Sequence, residues 1–262
     1  MRTLLIVAAA LIAIFSSSIR AESIRVRVTE FAPNYFLKDG HWTGLDVELA
    51  EAVVKDAGFT IEFIELSWSR ALNAMQTGDI DMMMNLTRTA DREVFIKFFG
   101  PARISKRVLV VRKENLDLKI SSLDDLVEAS RRTKLSFGIQ KDAKYSAAFD
   151  TRLTADPVFA QSFDVASQGS TLHKRVAGGH NLGFFEDENY VVHQLQNNPN
   201  FRALALHSFT LASDPVYFGL SKHINATTVQ KLEAAFQRLE KNGTLAKIRT
   251  RWGKAQKRGI SE

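Results

Sequence analysis

Cysteine is absent from the 262-residue sequence, which excludes disulfides, thiolate metal sites and a lipid-modified cysteine. The histidines, at positions 41, 173, 180, 193, 207 and 223, show no HExxH or similar metal spacing. Neither a GxSxG nucleophile elbow nor a GxxxxGK(S/T) phosphate loop occurs. We therefore expect no metal, no cofactor and no catalytic residue.

Long apolar runs are almost absent as well. One covers residues 4–15, after a charged start at Arg2 and before a stretch of small residues that ends at Ala21. This order is typical of a secretion signal peptide, which we predict over residues 1–21. A membrane anchor is the alternative, but the run is shorter than the roughly 20 apolar residues that cross a bilayer. The sequence therefore predicts a periplasmic protein without a lipid anchor.

Charge of one sign is in only modest excess. The chain has 35 basic and 29 acidic residues, a formal net charge of +6, and Arg2 and Arg20 lie in the predicted signal peptide. No basic block interleaved with aromatic residues occurs, which argues against nucleic acid as a partner. We expect a monomer that does not bind nucleic acid.

The first part of the remaining chain alternates strand and helix patterns. Ile24, Val26 and Val28 alternate with Arg25, Arg27 and Thr29, which predicts a half-buried strand. Apolar residues at helical spacing then predict a helix that stops near Gly58. The further predicted elements are a strand over 60–66, a helix over 69–77 and a strand over 80–86. This βαβαβ order predicts parallel strands joined by right-handed crossovers.

A second α/β unit follows a β-rich segment at 107–112. Ser122 and Asp125 form a candidate capping box, and Ser170 is a candidate cap for a helix through Val176. The other predicted elements are strands over 135–140 and 182–185 and helices over 188–196, 229–239 and 244–252. No linker separates the units, so we predict two lobes that share crossing strands. Lobe 1 is predicted from residues 22–109 plus 213–262, and lobe 2 from residues 110–212.

Three motifs carry a family resemblance: GLDVELA at 44–50, AMQTGDID at 74–81 and TRTADR at 87–92. With Trp68, FGLSK at 218–222, NGT at 242–244 and Trp252, the likeness covers most of the chain. These motifs resemble the polar amino-acid family of periplasmic solute-binding proteins, family 3. The resemblance implies an α/β, two-lobed periplasmic binding protein fold of type II, with the lobes joined by two crossing strands. It also implies a protein without catalytic activity that captures a small amino acid or related carboxylate and delivers it to the membrane permease of an ABC importer.

The resemblance implies ligand-binding residues in lobe 1. The third motif of the family ends in an arginine that holds the ligand carboxylate, and Arg92 occupies that position. A guanidinium offers a planar fork of donors that matches two carboxylate oxygens. A surface arginine paired with Asp91 or Glu93 is the alternative. Asn85 and Thr87 match positions that also contact the ligand, at the end of a predicted strand, and ordinary loop capping is the alternative for both.

Two aromatic residues and one aspartate complete the expected site. Phe31 and Trp68 align with family aromatics that contact the ligand, although either could be a core residue instead. Asp187 takes the position of the aspartate that binds the ligand ammonium. Arg92 and Asp187 would then hold a zwitterion from opposite lobes and stabilise a closed state.

Some positions depart from the family pattern. Residues 140–144 (QKDAK) replace a Gly followed by Ser or Thr, and His180 replaces an arginine. Arg92 then has fewer neighbouring groups that help to bind a carboxylate. An altered amino acid or another small carboxylate is therefore an alternative ligand. The motif residues Asp46, Asp81 and Gly78 are assigned to caps and turns.

Two other functions stay open. Cyclohexadienyl dehydratases resemble these binding proteins, and Glu30 or Glu186 could act as a general acid in such an enzyme. The second alternative is a sensor subunit that presents its ligand to a membrane receptor. Ligand selectivity is also open, because Glu30 favours a cationic ligand whereas Arg88 and Lys141 favour an acidic one.

Overall fold

Alternating strands and helices occupy residues 22–258, the part of the chain that the computed structural model describes, with side chains described for residues 22–253. The predicted signal peptide at residues 1–21 lies outside the described residues. None of the helices within residues 22–258 has the length and apolar character needed to cross a bilayer.

The described strands are β1 (Ser23–Val28), β2 (Phe36–Lys38), β3 (His41–Thr43), β4 (Thr60–Glu65), β5 (Met82–Leu86), β6 (Ile96–Arg112), β7 (Phe137–Gln140), β8 (Phe163–Ala166), β9 (Gly183–Asp187) and β10 (Leu204–Ser221). The α-helices are α1 (Leu45–Asp56), α2 (Trp68–Thr77), α3 (Ala90–Glu93), α4 (Leu123–Thr133), α5 (Ala147–Ala155), α6 (Pro157–Ala160), α7 (Leu172–Ala177), α8 (Glu188–Asn197), α9 (Ala226–Lys241) and α10 (Thr244–Arg258). Short 3-10 helices cover Lys113–Asn115, Gly169–Thr171 and Pro199–Phe201.

Eight strands form one mixed sheet in the order β4-β1-β5-β10-β6-β9-β7-β8. Strands β1, β4 and β5 are parallel at one end, and β7, β8 and β9 are parallel at the other. The long strands β6 and β10 pair antiparallel and pass from one end to the other. We call β1–β5 with α1–α3, α9 and α10 lobe 1, and α4–α8 with β7–β9 lobe 2. The predicted architecture of two lobes joined by two crossing strands is thus confirmed.

Each lobe packs its helices on both faces of its part of the sheet. In lobe 1, one core lies beneath α1 and α9 and the other beneath α2. In lobe 2, one core is rich in phenylalanine around Phe149, and the other lies beneath α7 and α8. The inner parallel strands β1, β5, β7 and β9 are largely buried on both faces, as a sheet covered by helices requires, whereas the outer strands β4 and β8 are more exposed.

Local signals placed most of the predicted helix ends correctly. The Ser122 hydroxyl accepts from the Asp125 backbone N–H at 3.2 Å, and the Asp125 carboxylate accepts from the Ser122 N–H at 2.9 Å, so the predicted capping box is confirmed. Gly78 ends α2 with φ 80°, a left-handed conformation that glycine adopts without strain. The predicted cap at Ser170 is wrong, because this residue lies within a 3-10 helix and α7 begins after Thr171.

The crossing strands were recognised only in part. The predicted segment 107–112 is the end of β6, which begins at Ile96. Gly100 and Pro101 interrupt its apolar pattern, and proline lacks the N–H that a sheet ladder uses. The third predicted strand of lobe 1, β5, also starts later than predicted, at Met82.

Candidate binding site

A cavity of about 450 Å³ lies between the lobes, at the carboxyl ends of the parallel strands. In lobe 1 its wall follows β1, β4 and β5, and in lobe 2 it follows β7, β8 and β9. Open α/β sheets commonly bind ligands at this edge. The cavity wall includes the predicted residues Arg92, Thr87, Asn85, Phe31 and Trp68 but not Asp187.

Arg92 lies on the one-turn helix α3 and is only 3% exposed. Its guanidinium donates to the carbonyl oxygen of Thr87 at 2.9 Å and to that of Asp142, in lobe 2, at 3.0 Å. The guanidinium carbon also lies 5.4 Å from the centre of the Trp68 ring. Burial lowers the pKa of Arg92 to about 10, which leaves it protonated at neutral pH. Asp91 and Glu93, its partners under the alternative interpretation, pair with Lys144 and Arg88 instead, and Arg92 forms no ion pair with any described carboxylate.

Trp68 opens α2 and joins the lobes. Its indole N–H donates to the Asp142 carbonyl oxygen at 3.0 Å, and the next residue, Ser69, donates its hydroxyl to the Asp142 carboxylate at 2.6 Å. Asp142 adopts φ 61°, a left-handed conformation that aspartate tolerates better than most residues. The segment at 140–144 that departs from the family pattern therefore presents a carbonyl acceptor to Arg92 and Trp68.

Arg27 belongs to the cavity although the strand pattern placed it on the solvent side. It is 5% exposed, donates from Nε to the Leu66 carbonyl at 2.9 Å and from NH1 to the Tyr35 hydroxyl at 3.2 Å. Its guanidinium carbon lies 5.6 Å from the centres of both the Tyr35 and the Trp68 rings. The polar face of β1 thus turns into the cavity at the carboxyl end of this strand, a position that sequence reasoning could have flagged.

Phe31 forms an aromatic contact across the lobes. Its ring stacks on that of Tyr190, from α8, with centroids 4.6 Å apart and planes 9° from parallel. Phe31 also packs against Tyr35 at 5.3 Å. Phe31, Tyr35 and Tyr190 all line the cavity, so one wall is aromatic.

Asn85 and Thr87 lie where β5 ends, as predicted. Asn85 has φ 59°, and its side-chain oxygen accepts from Arg103 at 3.1 Å. Thr87 accepts the Arg92 hydrogen bond through its backbone carbonyl. Both residues therefore line the cavity and also orient the arginines around it.

The structure places Asp187 behind the cavity wall rather than on it. This residue is 1% exposed and caps α8, and one carboxylate oxygen accepts from Asn34, from the Asn189 N–H and from the Tyr190 N–H. The other oxygen accepts from Arg103 at 3.0 Å and from the Ser105 hydroxyl. Burial acts to raise the pKa of Asp187, but Arg103, Ser105 and Arg107 outweigh it and the pKa is lowered. Asp187 is thus a saturated structural carboxylate behind the cavity wall.

Glu186 is the carboxylate that lines the cavity at this point. Burial raises its pKa, while Arg107, whose NH1 donates to Glu186 at 2.8 Å, acts in the opposite direction. Arg107 lines the cavity too, and both side chains are less than a fifth exposed. The pair adds no net charge to the wall.

Arg103, on β6, links the two lobes through a buried ion-pair network that sequence reasoning missed. Its guanidinium donates to both oxygens of Asp46, on α1, at 2.8 and 3.1 Å, and to Asp187. Asp46 was predicted to serve in a cap or turn. It is instead a buried ion-pair partner of Arg103. Asp81 likewise pairs with Arg25 rather than serving only in a turn.

The chemistry of the cavity is that of a binding site for a polar small molecule. No group of three or more potential ligands that could hold a metal occurs among the described residues. The wall combines guanidinium donors, aromatic faces and amide or hydroxyl groups from both lobes, so a bound molecule would contact both lobes at once.

Comparison with known proteins places these features in a family. The family model of bacterial extracellular solute-binding proteins, family 3, matches residues 24–255. The L-cystine-binding protein TcyA of Bacillus subtilis (strain 168) is 25% identical over 210 residues, which cover 80% of this chain and 72% of that protein. The match to the probable amino-acid-binding protein YxeM of the same organism is 34% identical over 95 residues, or 36% of this chain and 35% of that protein.

Solved structures share the fold. An ancestral arginine-binding protein bound to arginine matches with a TM-score of 0.72 and 23% identity, covering 89% of this chain and 99% of that one. This likeness confirms the type II periplasmic binding protein fold.

Proposed function

Since the chain belongs to the bacterial extracellular solute-binding proteins, family 3, we propose that it captures a small amino acid or related carboxylate for an ABC importer. The observation that carries this proposal is the position of Arg92, a buried guanidinium without a carboxylate partner in the wall of an interlobe cavity. A ligand carboxylate is the natural partner for such a group, because an unpaired buried charge is costly.

In the proposed binding mode the ligand contacts the predicted residues, except that Glu186 takes the place of Asp187. Arg92 holds the ligand carboxylate, with Thr87 and Asn85 beside it, while Trp68 and Phe31 contact the rest of the molecule. A ligand ammonium, where there is one, approaches Glu186 rather than Asp187. Glu186 lines the cavity, whereas every Asp187 oxygen already accepts hydrogen bonds.

Capture occurs by hinge closure about β6 and β10, the strands that join the lobes. We propose the lobe boundaries at residues 109/110 and 212/213, within these strands. A ligand that contacts both lobes binds the closed arrangement more tightly than the open one. Binding therefore shifts the equilibrium towards the closed arrangement. The closed protein then docks on the permease, in the periplasm and as a monomer.

The direct test is a thermal-shift screen of the mature chain against the twenty amino acids and small dicarboxylates. A ligand that binds only the folded state raises the melting temperature by mass action. At least one of these molecules is expected to do so. A screen without any shift contradicts the proposed function.

One observation favours a second candidate. Glu186 is a buried cavity carboxylate of raised pKa, which is a property of general acids in dehydratase-like enzymes. Against this role, its ion pair with Arg107 stabilises the ionised form. Incubation with prephenate and arogenate separates the two functions, since turnover that is lost in Glu186→Gln supports the enzyme and tight binding without turnover supports the binding protein.

Transport and sensing are distinguished in cells. Deletion of the partner permease should abolish ligand uptake if the chain serves an importer. Uptake that is unaffected, together with loss of a ligand-dependent transcriptional response when the chain is deleted, supports the sensor subunit.

A further inference from the structure

Two buried arginines in the cavity wall have no carboxylate partner among the described residues. Arg27 is 5% exposed and Arg92 is 3% exposed. Their described hydrogen bonds go to neutral acceptors only: the carbonyls of Leu66, Thr87 and Asp142 and the hydroxyl of Tyr35. Buried charges in proteins are normally paired, so two unpaired cations in one wall call for a common explanation.

The other charged side chains that line the cavity are paired or exposed. Arg107 pairs with Glu186 at 2.8 Å, and Lys144 pairs with Asp91 at 3.2 Å. The remaining lining carboxylates, Glu30 and Glu65, are exposed at the rim and form no described ion pair with either arginine. Asp142 and Asp150 attract Arg92 from nearby without forming an ion pair with it, so neither Arg27 nor Arg92 has a described carboxylate in direct contact.

Both guanidiniums lie over the ring of Trp68. The guanidinium carbons of Arg27 and Arg92 lie 5.6 and 5.4 Å from the centre of the Trp68 ring. The two guanidiniums thus share one aromatic neighbour within the cavity that both residues line. Attraction to the ring partly compensates each charge but does not replace an anion.

Each guanidinium keeps donors for a ligand. Arg27 uses Nε and NH1 and leaves NH2 without a described acceptor, and Arg92 uses NH1 and NH2 and leaves Nε. These two nitrogens belong to residues that line the cavity, where a ligand can meet them.

We propose that the ligand carries two anionic groups, one held by Arg92 and the other by Arg27, and is a small dicarboxylate or dicarboxylic amino acid. This deepens the proposed function and rests on it, because it assumes that the cavity holds a small carboxylate. The cavity of about 450 Å³ accommodates molecules of the size of succinate or glutamate.

The test compares ligand pairs that differ only in the second charge. Isothermal titration of the wild-type protein uses glutamate against glutamine, aspartate against asparagine, and succinate against succinamate. In at least one pair, the dianion is expected to bind at least about tenfold more tightly than its amide, because only the dianion pairs both guanidiniums. Tighter binding of succinate than of glutamate and aspartate identifies a plain dicarboxylate as the ligand class, and the reverse order identifies an amino acid.

Variants assign the second charge to Arg27. Arg27→Gln is expected to weaken binding of the preferred dianion by about tenfold or more and to abolish the preference over its amide. Arg27→Lys should retain part of the preference. The matched control is Arg25→Gln, on the same strand but paired with Asp81 and outside the cavity wall, which should leave the preference unchanged.

The outcomes separate this inference from the proposed function. If glutamine, arginine or another ligand without a second anion binds more tightly than every dianion, the inference is overturned and the proposed function stands. If Arg27→Gln weakens dianion and amide equally, Arg27 is structural and the inference is likewise overturned. If no carboxylate binds at all, both fail. If Arg27→Gln does not fold, the inference is decided by the affinities of the wild-type protein for each dianion and its amide.

Discussion

Arg92 and Asp142 connect the two lobes through one hydrogen bond, from the arginine NH2 to the aspartate carbonyl oxygen at 3.0 Å. The Trp68 indole donates to the same oxygen, so two side chains of lobe 1 meet one backbone acceptor of lobe 2. The residue proposed to hold the ligand is therefore also hydrogen-bonded across the two lobes. This coupling explains how a ligand on Arg92 can act on the position of the lobes.

Trp68→Phe should weaken ligand binding by a few-fold to about tenfold. The substitution keeps an aromatic ring beneath the arginines but removes a hydrogen bond worth about 0.5–1.5 kcal/mol across the lobes. Titration calorimetry measures the change. Trp252→Phe is the matched control, because the Trp252 indole N–H has no described partner and this residue packs in the lobe 1 core. Equal effects of the two variants would argue against an interlobe role for Trp68.

Arg103→Met should lower the free energy of unfolding by about 3–5 kcal/mol, because it leaves the buried carboxylates of Asp46 and Asp187 without their cation. Urea unfolding of the ligand-free protein measures this loss. Arg88→Met is the control, since its pair with Glu93 is exposed and should contribute at most about 1 kcal/mol. Similar losses in the two variants would show that the buried network adds little.

Stability should fall as the pH drops below about 6.5, partly because of two histidines. Burial lowers the pKa of His173 and His193 from the ordinary 6.5, and one ring nitrogen of each has no described partner. The unfolded chain therefore takes up these protons at higher pH than the folded one, which favours unfolding in acid.

Urea midpoints at about pH 7.5 and about pH 5.5 measure this pH dependence. The double variant His173→Gln, His193→Gln should lose less stability between these values than the wild type does. His41→Gln, at an exposed position, should behave as the wild type. An unchanged pH dependence in the double variant would contradict the histidine contribution.

The elements with clear periodicity could be predicted from the sequence. In lobe 1 the apolar residues Ile24, Val26 and Val28 are all buried, and the stop at Gly78 is where α2 ends. The long strands β6 and β10 were harder, because Gly100, Pro101 and Pro215 break the local pattern while long-range pairing keeps the strands continuous.

Cavity-lining residues could be predicted from the sequence where their position in the chain alone places them at the end of a strand or in a loop. Arg92, Thr87, Asn85, Phe31 and Trp68 line the cavity because all follow strand ends or loops that the motif locates. Asp187 could not be judged in this way, since its carboxylate is saturated by Arg103 and Ser105, which come from β6. Arg27 was missed because strand alternation alone assigned it to the solvent side, although its position near the carboxyl end of β1 is where such sheets place a binding cavity.

The central claim is that a carboxylate ligand binds in the interlobe cavity through Arg92. Titration calorimetry of wild type, Arg92→Ala and Arg88→Ala, with the ligand that gives the largest thermal shift, tests it most directly. Truncating one partner of a buried charge pair costs about 2–5 kcal/mol, so Arg92→Ala should raise Kd by roughly thirtyfold or more while the exposed Arg88→Ala leaves it unchanged. An Arg92→Ala protein that is folded and binds with wild-type affinity would contradict the account.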